Sequence, residues 1–339
     1  MSPFDSFRHL GILSHDPFII MSCVDSYVPF ERSVADLIAE RVATPFALVL
    51  QVWQSWEYAI DHEKPLLVGL AASIQRHLRD HPENEIWIAC NTEKEVEIAD
   101  GIGLSGAFLN HNAYVSDHIF HIQPDHKRIY DAVYSAQMWT RKRHELAAQI
   151  ESICLIFAMH LGAEALRRFK EVHSFMPHAV LCNGDPTLPN QYRYLSPAEV
   201  NKYYNMSKVG LCLSAHEGAS LASLEYLLAG CAVVSTPSLG GRDVLFQEPW
   251  CSICEPTPES VKDAVQDMID RSIDPEKIRN GTLTRVESLR AQWIAFVDDL
   301  KRRRAASTVG SFADVFPSIR EHWCGLPYKS VNILLSHLQ

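Results

Sequence analysis

The chain has no long apolar run and no excess of basic residues, and each absence excludes a class of protein. No run reaches the length of about 18 apolar residues that a membrane-spanning helix needs, so we expect no transmembrane segment. The first residues lack the basic region and apolar core of a secretory signal peptide, which indicates a cytoplasmic protein. The formal net charge of -10 argues against a general nucleic-acid-binding protein.

Metal-binding patterns are also scarce. The nine cysteines are scattered, as is usual in a reducing compartment. Cys251 and Cys254 form the one CxxC pair, and without a second pair a structural role is favoured over zinc or redox chemistry. His118, His121 and His126 have no convincing ligand spacing, so no metal site is predicted.

Basic residues are concentrated in one place, the segment from Lys301 to Arg304 at the end of a predicted helix. Cations at a helix C-terminus are stabilised by the helix dipole, so a solvated helix end is favoured. Peripheral contact with a membrane surface is the alternative.

Apolar runs of strand length alternate with segments of helical spacing along most of the chain. This pattern predicts an α/β protein with parallel sheets covered by helices. The predicted strands are 18–24, 45–52, 85–90, 107–110, 131–136, 152–158, 179–182, 209–213, 232–235 and 252–255. The main predicted helices are 31–43, 67–78, 92–101, 142–151, 163–172, 221–229 and 289–304, with two more beginning at Ser196 and Pro256.

The length of 339 residues suits about two domains. We expect an N-terminal Rossmann-like domain (1–115), a second Rossmann-like domain (116–290) and a C-terminal helical extension (291–339) that packs back on the body. The polar stretch 110–124 is interpreted as the linker. Two such domains would face each other across a cleft, with a ligand at the carboxyl ends of the strands. The aromatic cluster 53–58 is interpreted as core packing, with stacking on a sugar as the alternative.

Two carboxylates with seven residues between them mark the most informative stretch. Glu217 falls at a predicted strand-to-helix turn, and Glu225 about two helical turns further along. Gly218, Ala219 and Ser220 lie between them and offer backbone N–H groups at a helix N-terminus. Such a terminus suits a phosphate or diphosphate. A diphosphate site flanked by hydroxyl-binding carboxylates would suit a nucleotide sugar.

The segment from Ser214 to Asp243 resembles the retaining nucleotide-sugar glycosyltransferases of the GT-B architecture, the group 1 or family 4 set. The matching elements are Ser-x-x-Glu-Gly, a second Glu eight positions after the first, a Gly-x-x-Val-Val-x-Thr strand entry preceded by an alanine, and a Gly-Gly turn. Here they are 214–218, Glu225, 229–236 and 240–241. Segments 107–124 and 134–146 are similar to two further family segments, and the match covers roughly residues 86 to 265.

The resemblance implies a retaining transferase that moves a sugar from a nucleotide-diphosphate sugar to a glycan, saccharide or lipid-linked acceptor. The first domain would hold the acceptor and the second the donor, with no cofactor besides the donor. It implies that Glu225 binds the ribose hydroxyls and Glu217 a hydroxyl of the donor sugar. Lys142 matches the family lysine that holds the donor diphosphate, so Lys142 and Glu217 are the predicted catalytic residues. Fixed cations and N–H groups would stabilise the leaving diphosphate without a metal.

The chain departs from the family where a Gly-Arg pair is usual, because it has Ala136 and Gln137. Arg141 or Arg143 could supply the missing guanidinium, and Arg143 is taken as a donor-binding residue. Other predicted donor-binding residues lie in the segment Gly240, Gly241 and Arg242.

Each assignment has a structural alternative. Glu225 could belong to an ion pair, Glu217 could cap a helix, Lys142 could be a solvated helix residue, and Gly240 with Gly241 could be only a tight turn. His216 could lie in the cleft or at the surface. For the whole protein, the alternatives are a sugar-nucleotide epimerase and a non-catalytic sugar-nucleotide or glycan-binding subunit, which the glutamine at position 137 would favour.

Overall fold

The chain folds into two units, each built on its own sheet. The computed structural model describes residues 11–24, 33–159, 162–304 and 310–317. One unit comprises residues 1–114 and 287–339, and the other residues 115–286. Both sheets are largely parallel, so the predicted α/β class with two Rossmann-like domains is confirmed. Within the described ranges, no helix combines the length and the apolarity needed to cross a membrane.

The first unit has a five-stranded sheet in sequence order. The strands are β1 (Gly11–His15), β2 (Phe18–Cys23), β3 (Phe46–Gln51), β4 (Glu85–Cys90) and β5 (Ser105–Phe108). The helices are α1 (Val34–Ala39), α2 (Trp56–His62), α3 (Lys64–Asp80) and α4 (Glu93–Gly101). Every residue of β2 and β3 is buried, which is the pattern of central parallel strands. β1 was not predicted, and it pairs antiparallel with β2 at the edge.

The second unit has a six-stranded, fully parallel sheet. The strands are β6 (Tyr130–Ser135), β7 (Ile153–Ile156), β8 (Val180–Leu181), β9 (Ser207–Cys212), β10 (Ala232–Ser235) and β11 (Cys251–Ile253). The helices are α5 (Ala163–Phe175), α6 (Pro197–Asn205), α7 (Leu221–Leu228), α8 (Pro258–Asp270) and the first part of α9 (Pro275–Arg304). The sheet order is β11-β10-β9-β6-β7-β8, so the strand order reverses between β6 and β9, although the two strands are parallel. Ligands of such sheets bind beyond the carboxyl ends of the strands at this reversal.

The second part of α9 packs on the first unit. Trp293 is fully buried, its Nε1 donates to the carbonyl of Asn110 at 3.3 Å, and its ring lies 5.0 Å from that of Tyr114. Phe296 meets Trp87 edge to face. The described part of the C-terminal segment therefore packs back as predicted, while residues 305–309 and 318–339 lie outside the described ranges.

The basic run at the end of α9 is not the solvated helix end that we expected. Arg303 and Arg304 pair with Glu85 at 3.3 and 3.0 Å, and the ammonium of Lys301 donates to the carbonyl of Gly310. Only Arg302 is mainly exposed, with 73% of its side chain accessible. The run thus serves largely as an attachment of α9 to the first unit.

One predicted helix, 142–151, is wrong. The chain instead forms two short 3-10 turns, Thr140–Lys142 and His144–Ala147, separated by Arg143 in the left-handed conformation with φ of 48°. The guanidinium of Arg143 donates to the carbonyl of Leu213 at 2.6 Å and thereby ties this loop to the end of β9. A tertiary contact overrides the local helical spacing.

The other elements differ from the predictions mainly at their ends. The helix predicted over 31–43 covers Val34–Ala39, the one over 67–78 extends to Lys64–Asp80, and the strand at 107–110 lies at Ser105–Phe108. Helix α6 begins with the predicted capping box, in which Ser196 and Glu199 exchange hydrogen bonds. Trp56 is 3% exposed within the core, as the packing interpretation predicted.

Gly210 provides a test of how α7 packs on β9. A Cβ at Gly210 would lie 2.3 Å from the ring of Tyr226, so we expect Gly210→Ala to destabilise the protein by about 1 to 3 kcal/mol. Gly101→Ala is the matched control, because a Cβ there meets nothing within 4 Å in a helix, where alanine is favoured. Thermal unfolding measures both. An unchanged melting temperature for Gly210→Ala would contradict this packing.

Candidate functional site

Three loops meet at the carboxyl edge of the second sheet. They follow β6 (136–143), β9 (213–220) and β10 (236–241). The N–H of Ala215 donates to the carbonyl of Arg141 at 3.4 Å, which joins the first two loops. The N–H of Glu217 donates to the carbonyl of Leu239 at 3.0 Å, which joins the second and third. Since the strand order reverses between β6 and β9, the contacting loops lie where a ligand is expected.

Arg242 is fully buried and links the second and third loops. Its guanidinium donates to the carbonyls of Cys212, Ser214 and Thr236 and to both carboxylate oxygens of Asp243. These five hydrogen bonds equal the number of N–H donors of an arginine. The expectation that Arg242 binds the nucleotide-sugar donor is therefore corrected, because none of its N–H groups is left for a ligand.

Arg143 is also engaged by the protein. Besides its contact with Leu213, it donates to the hydroxyl of Thr236 at 2.7 Å and to the carbonyl of Pro237 at 3.5 Å. Burial lowers the pKa of Arg143, although the group stays protonated at neutral pH. These contacts brace the loop that carries Lys142, and the role of Arg143 in binding the sugar donor stays a prediction.

Gly240 and Gly241 shape the third loop. Gly240 has φ of 96°, a conformation that favours glycine, and the N–H of Gly241 donates to the carbonyl of Gly218 at 2.5 Å. These observations support the tight-turn alternative. His216 forms an isolated parallel bridge with Leu239, so its backbone belongs to the same loop contact.

Lys142 and Glu217 form an ion pair, which the sequence did not predict. Their side chains are 13% and 8% exposed, so Lys142 is no solvated helix residue. Burial raises the pKa of the Glu217 carboxyl, but the charges of Lys142 and Arg141 and hydrogen bonds from Lys142 and Ser214 outweigh it and lower the pKa to about 2. Glu217 is thus an anion at neutral pH, and it is held by side chains and does not cap a helix.

The N-terminus of α7 lies next to this pair in sequence. Ser220 precedes the helix with φ of 53°, and its side chain makes no capping hydrogen bond. The first N–H groups of a helix have no partner within it, and they bear the positive end of its dipole. Gly218 and Ala219, which precede this turn, are buried. Of the predicted group 217–220, Glu217 contacts Lys142, and the other three residues follow it directly in the sequence.

Glu225 lies on α7, and its partner is a hydroxyl. The Tyr204 hydroxyl of α6 donates to Glu225 Oε2 at 2.8 Å. Burial raises the pKa of Glu225 to about 7, although the hydrogen bond from Tyr204 opposes the rise. The ion-pair alternative for Glu225 is not what the structure shows. Tyr204 was missed, because nothing in the spacing of two residues 21 positions apart links α6 to α7.

The described residues contain no group of three His, Cys, Asp or Glu side chains that could hold a metal ion. Cys251 and Cys254 are free thiols at the end of the sheet, and Cys254 contacts the carbonyl of Ser235.

No protein-family model matches the chain, and no curated protein matches its sequence. Solved structures share its fold. Sucrose-phosphate synthase from Thermosynechococcus elongatus matches with a TM-score of 0.58 at 14% identity, over 80% of this chain and 71% of that one. HepE (Alr3699) from Anabaena, in complex with UDP, matches with a TM-score of 0.55 at 10% identity, over 76% and 73%. The chain has the GT-B fold. The predicted resemblance to nucleotide-sugar glycosyltransferases is confirmed at the level of the fold.

The ion pair can be tested by breaking it from one side. Lys142→Met leaves the Glu217 charge buried without its partner, so we expect a loss of about 3 to 5 kcal/mol in the free energy of unfolding. The double variant Lys142→Met with Glu217→Gln removes both charges and should recover most of that loss. Chemical denaturation of the single and double variants measures the coupling. Additive effects would show that the two side chains do not interact.

The raised pKa of Glu225 predicts that the stability of the protein depends on pH. This pKa is raised from 4.5 to about 7 in the folded state, so the unfolded chain releases this proton at a lower pH than the folded chain does. Stability is then lost as the pH rises from about 4.5 to about 7, and the loss is complete above that range. Glu225→Gln cannot ionise and still accepts from Tyr204. We expect it to match the native chain near pH 4.5 and to be more stable by about 2 to 3 kcal/mol near pH 8.

The exposed Glu287→Gln is the control for this pH series, because it removes a carboxyl that lies in solvent. Unfolding curves across the range give the difference between each variant and the native chain. A difference for Glu225→Gln that stays constant with pH would contradict the raised pKa.

Proposed function

We propose that this protein is a glycosyltransferase that moves a sugar from a nucleotide-diphosphate sugar to a hydroxyl of an acceptor. One observation carries the proposal. A largely buried Lys142–Glu217 ion pair lies beside the N-terminus of α7, where the strand order of the parallel sheet of the second unit reverses. This arrangement offers a cation and N–H groups for a diphosphate and a fixed anion for hydroxyls.

The chemistry requires stabilisation of a leaving group. The bond between the anomeric carbon and the diphosphate oxygen breaks, and its electron pair stays on the diphosphate. A bond forms between the anomeric carbon and the acceptor oxygen, and the hydroxyl proton of the acceptor passes to the diphosphate or to solvent. Negative charge therefore grows on the diphosphate, where Lys142 and the α7 N-terminus would stabilise it.

The two carboxylates would bind hydroxyls. Glu217, with a pKa of about 2, is a weak base, and this supports hydrogen bonding to a hydroxyl of the donor sugar over proton transfer. Glu225 would bind the ribose, with Tyr204 holding one of its oxygens. Gly218, Ala219 and Ser220 would line the diphosphate.

Further parts of the proposal rest on the motif resemblance. We infer that the reaction retains the anomeric configuration and needs no metal, because Lys142 and N–H groups supply positive charge where a metal would. The first unit would bind the acceptor, which is a glycan, a saccharide or a lipid-linked carrier. HepE has been crystallised with UDP and with UDP-glucose, so UDP-sugars are the first donors to test.

The test is incubation with a panel of nucleotide sugars and saccharide or lipid-linked acceptors in the presence of a chelator. We expect that release of the nucleotide depends on the presence of an acceptor. Because Lys142→Ala and Glu217→Gln remove a charge from the site, we expect either to lower kcat/KM by roughly 100-fold or more, as for the loss of one fixed donor to a developing anion. NMR of the product gives its anomeric configuration.

Lys170→Ala removes an exposed lysine of α5 and is the control for the loss of a positive charge. Nucleotide binding without acceptor-dependent release would indicate a binding subunit. Epimerisation of the sugar without acceptor would indicate an epimerase. Either outcome would refute the transferase.

A further inference from the structure

We propose that Arg141 is the second cation of the donor site and contacts the diphosphate together with Lys142. This rests on the proposed function and adds to it a residue outside the matched motif positions. The charges at the site, and the hydrogen bonds that its guanidinium groups already make within the protein, point to Arg141.

The charge balance of the site favours a further cation. A diphosphate carries more than one negative charge, but Lys142 is already neutralised by Glu217. Arg242 is paired with Asp243, with Nε at 2.7 Å from Oδ1, and its other donors go to three carbonyls and to Oδ2 of Asp243. Arg143 is engaged by the ends of β9 and β10. Of these groups only Arg143 has no carboxylate partner, and its hydrogen bonds to Leu213 and Thr236 hold its guanidinium in place.

Arg141 differs from these arginines in its contacts. Its guanidinium lies over the ring of Trp139 at 4.3 Å, which orients the group without using its N–H donors. Its Nε is buried and has no hydrogen-bond partner. In the described part of the chain, its guanidinium donates no hydrogen bond. A buried donor without a partner costs free energy, and the Nη donors of the same guanidinium are the ones that a bound anion would contact.

The position of Arg141 is fixed by its backbone. It lies in the 3-10 turn Thr140–Lys142, and its carbonyl accepts from Ala215, two residues before Glu217. Its charge acts on the Glu217 carboxyl, second only to that of Lys142 among the groups that lower its pKa. Arg141 is therefore within electrostatic reach of the ion pair, whereas Gln137 can offer only a neutral amide.

Binding measurements test this assignment. The probes are UDP, ADP, GDP and TDP, the matching nucleosides and inorganic pyrophosphate. For the nucleoside diphosphate that binds the native chain most tightly, Arg141→Gln should raise Kd by roughly 10- to 100-fold, as expected for a charged hydrogen bond. The affinity for the nucleoside should not change, and Arg141→Lys should recover part of the loss. Arg167→Gln, which alters an exposed arginine of α5, should have no effect.

A second measurement needs no variant. Phenylglyoxal labels accessible guanidinium groups, and mass spectrometry locates the labels. We expect Arg141 to be labelled in the free protein and protected by pyrophosphate or by the nucleoside diphosphate. The buried Arg242 should stay unlabelled throughout.

The outcomes separate this inference from the proposed function. If a nucleoside diphosphate binds and Lys142→Gln weakens it, but Arg141→Gln has no effect and Arg141 is not protected, only the assignment of Arg141 is overturned. If pyrophosphate protects Arg141 but no nucleotide sugar is turned over, the anion site stands and the transferase does not. If no probe binds or protects, both are overturned.

Discussion

A single buried guanidinium sets the geometry on which the site depends. Arg242 bonds to carbonyls at the end of β9, at the start of the Glu217 loop and at the end of β10. Burial by itself lowers the pKa of Arg242, but the charge and hydrogen bond of Asp243 raise it, so the group stays a cation. Five hydrogen bonds offset the cost of burying that charge. The two loops are thereby fixed relative to each other, and the backbone of Glu217 with them.

On this frame, the Lys142–Glu217 pair would hold the site ready for a ligand. A flexible lysine in solvent would lose side-chain entropy when it bound a diphosphate, whereas Lys142 has already lost it to Glu217. Such preorganisation is what electrostatic stabilisation of a leaving group requires. The pair also implies a cost, since Glu217 cancels the charge of Lys142, and this is why a further cation such as Arg141 matters.

How far the sequence predicts this fold depends on whether local or tertiary forces decide each element. Strands 85–90 and 232–235 are predicted at both ends, because buried apolar runs bounded by polar or glycine-containing turns leave few alternatives. The helix at 142–151 fails, because Arg143 reaches the end of another strand. The same limit applies to the site. Glu217 and Lys142 can be selected by motif, but their direct contact and that of Tyr204 with Glu225 join side chains 75 and 21 positions apart. The structural roles of Arg143 and Arg242 depend on carbonyls of loops that are distant in sequence.

Glu217 and Glu225 show how environment assigns different roles to one residue type. Glu217 is held as an anion by two cations, with a pKa of about 2, whereas Glu225 has only a tyrosine hydroxyl against its burial and a pKa of about 7. A fixed anion can only accept hydrogen bonds. A carboxyl that titrates near neutral pH can also donate one, and a ribose hydroxyl can take either role. Because the Tyr204 hydroxyl donates to Oε2, the other oxygen of Glu225 would be the one to contact a nucleotide. The same pair would therefore provide a permanent charge at the sugar and an adaptable contact at the ribose, and neither role requires proton transfer to the reacting bond.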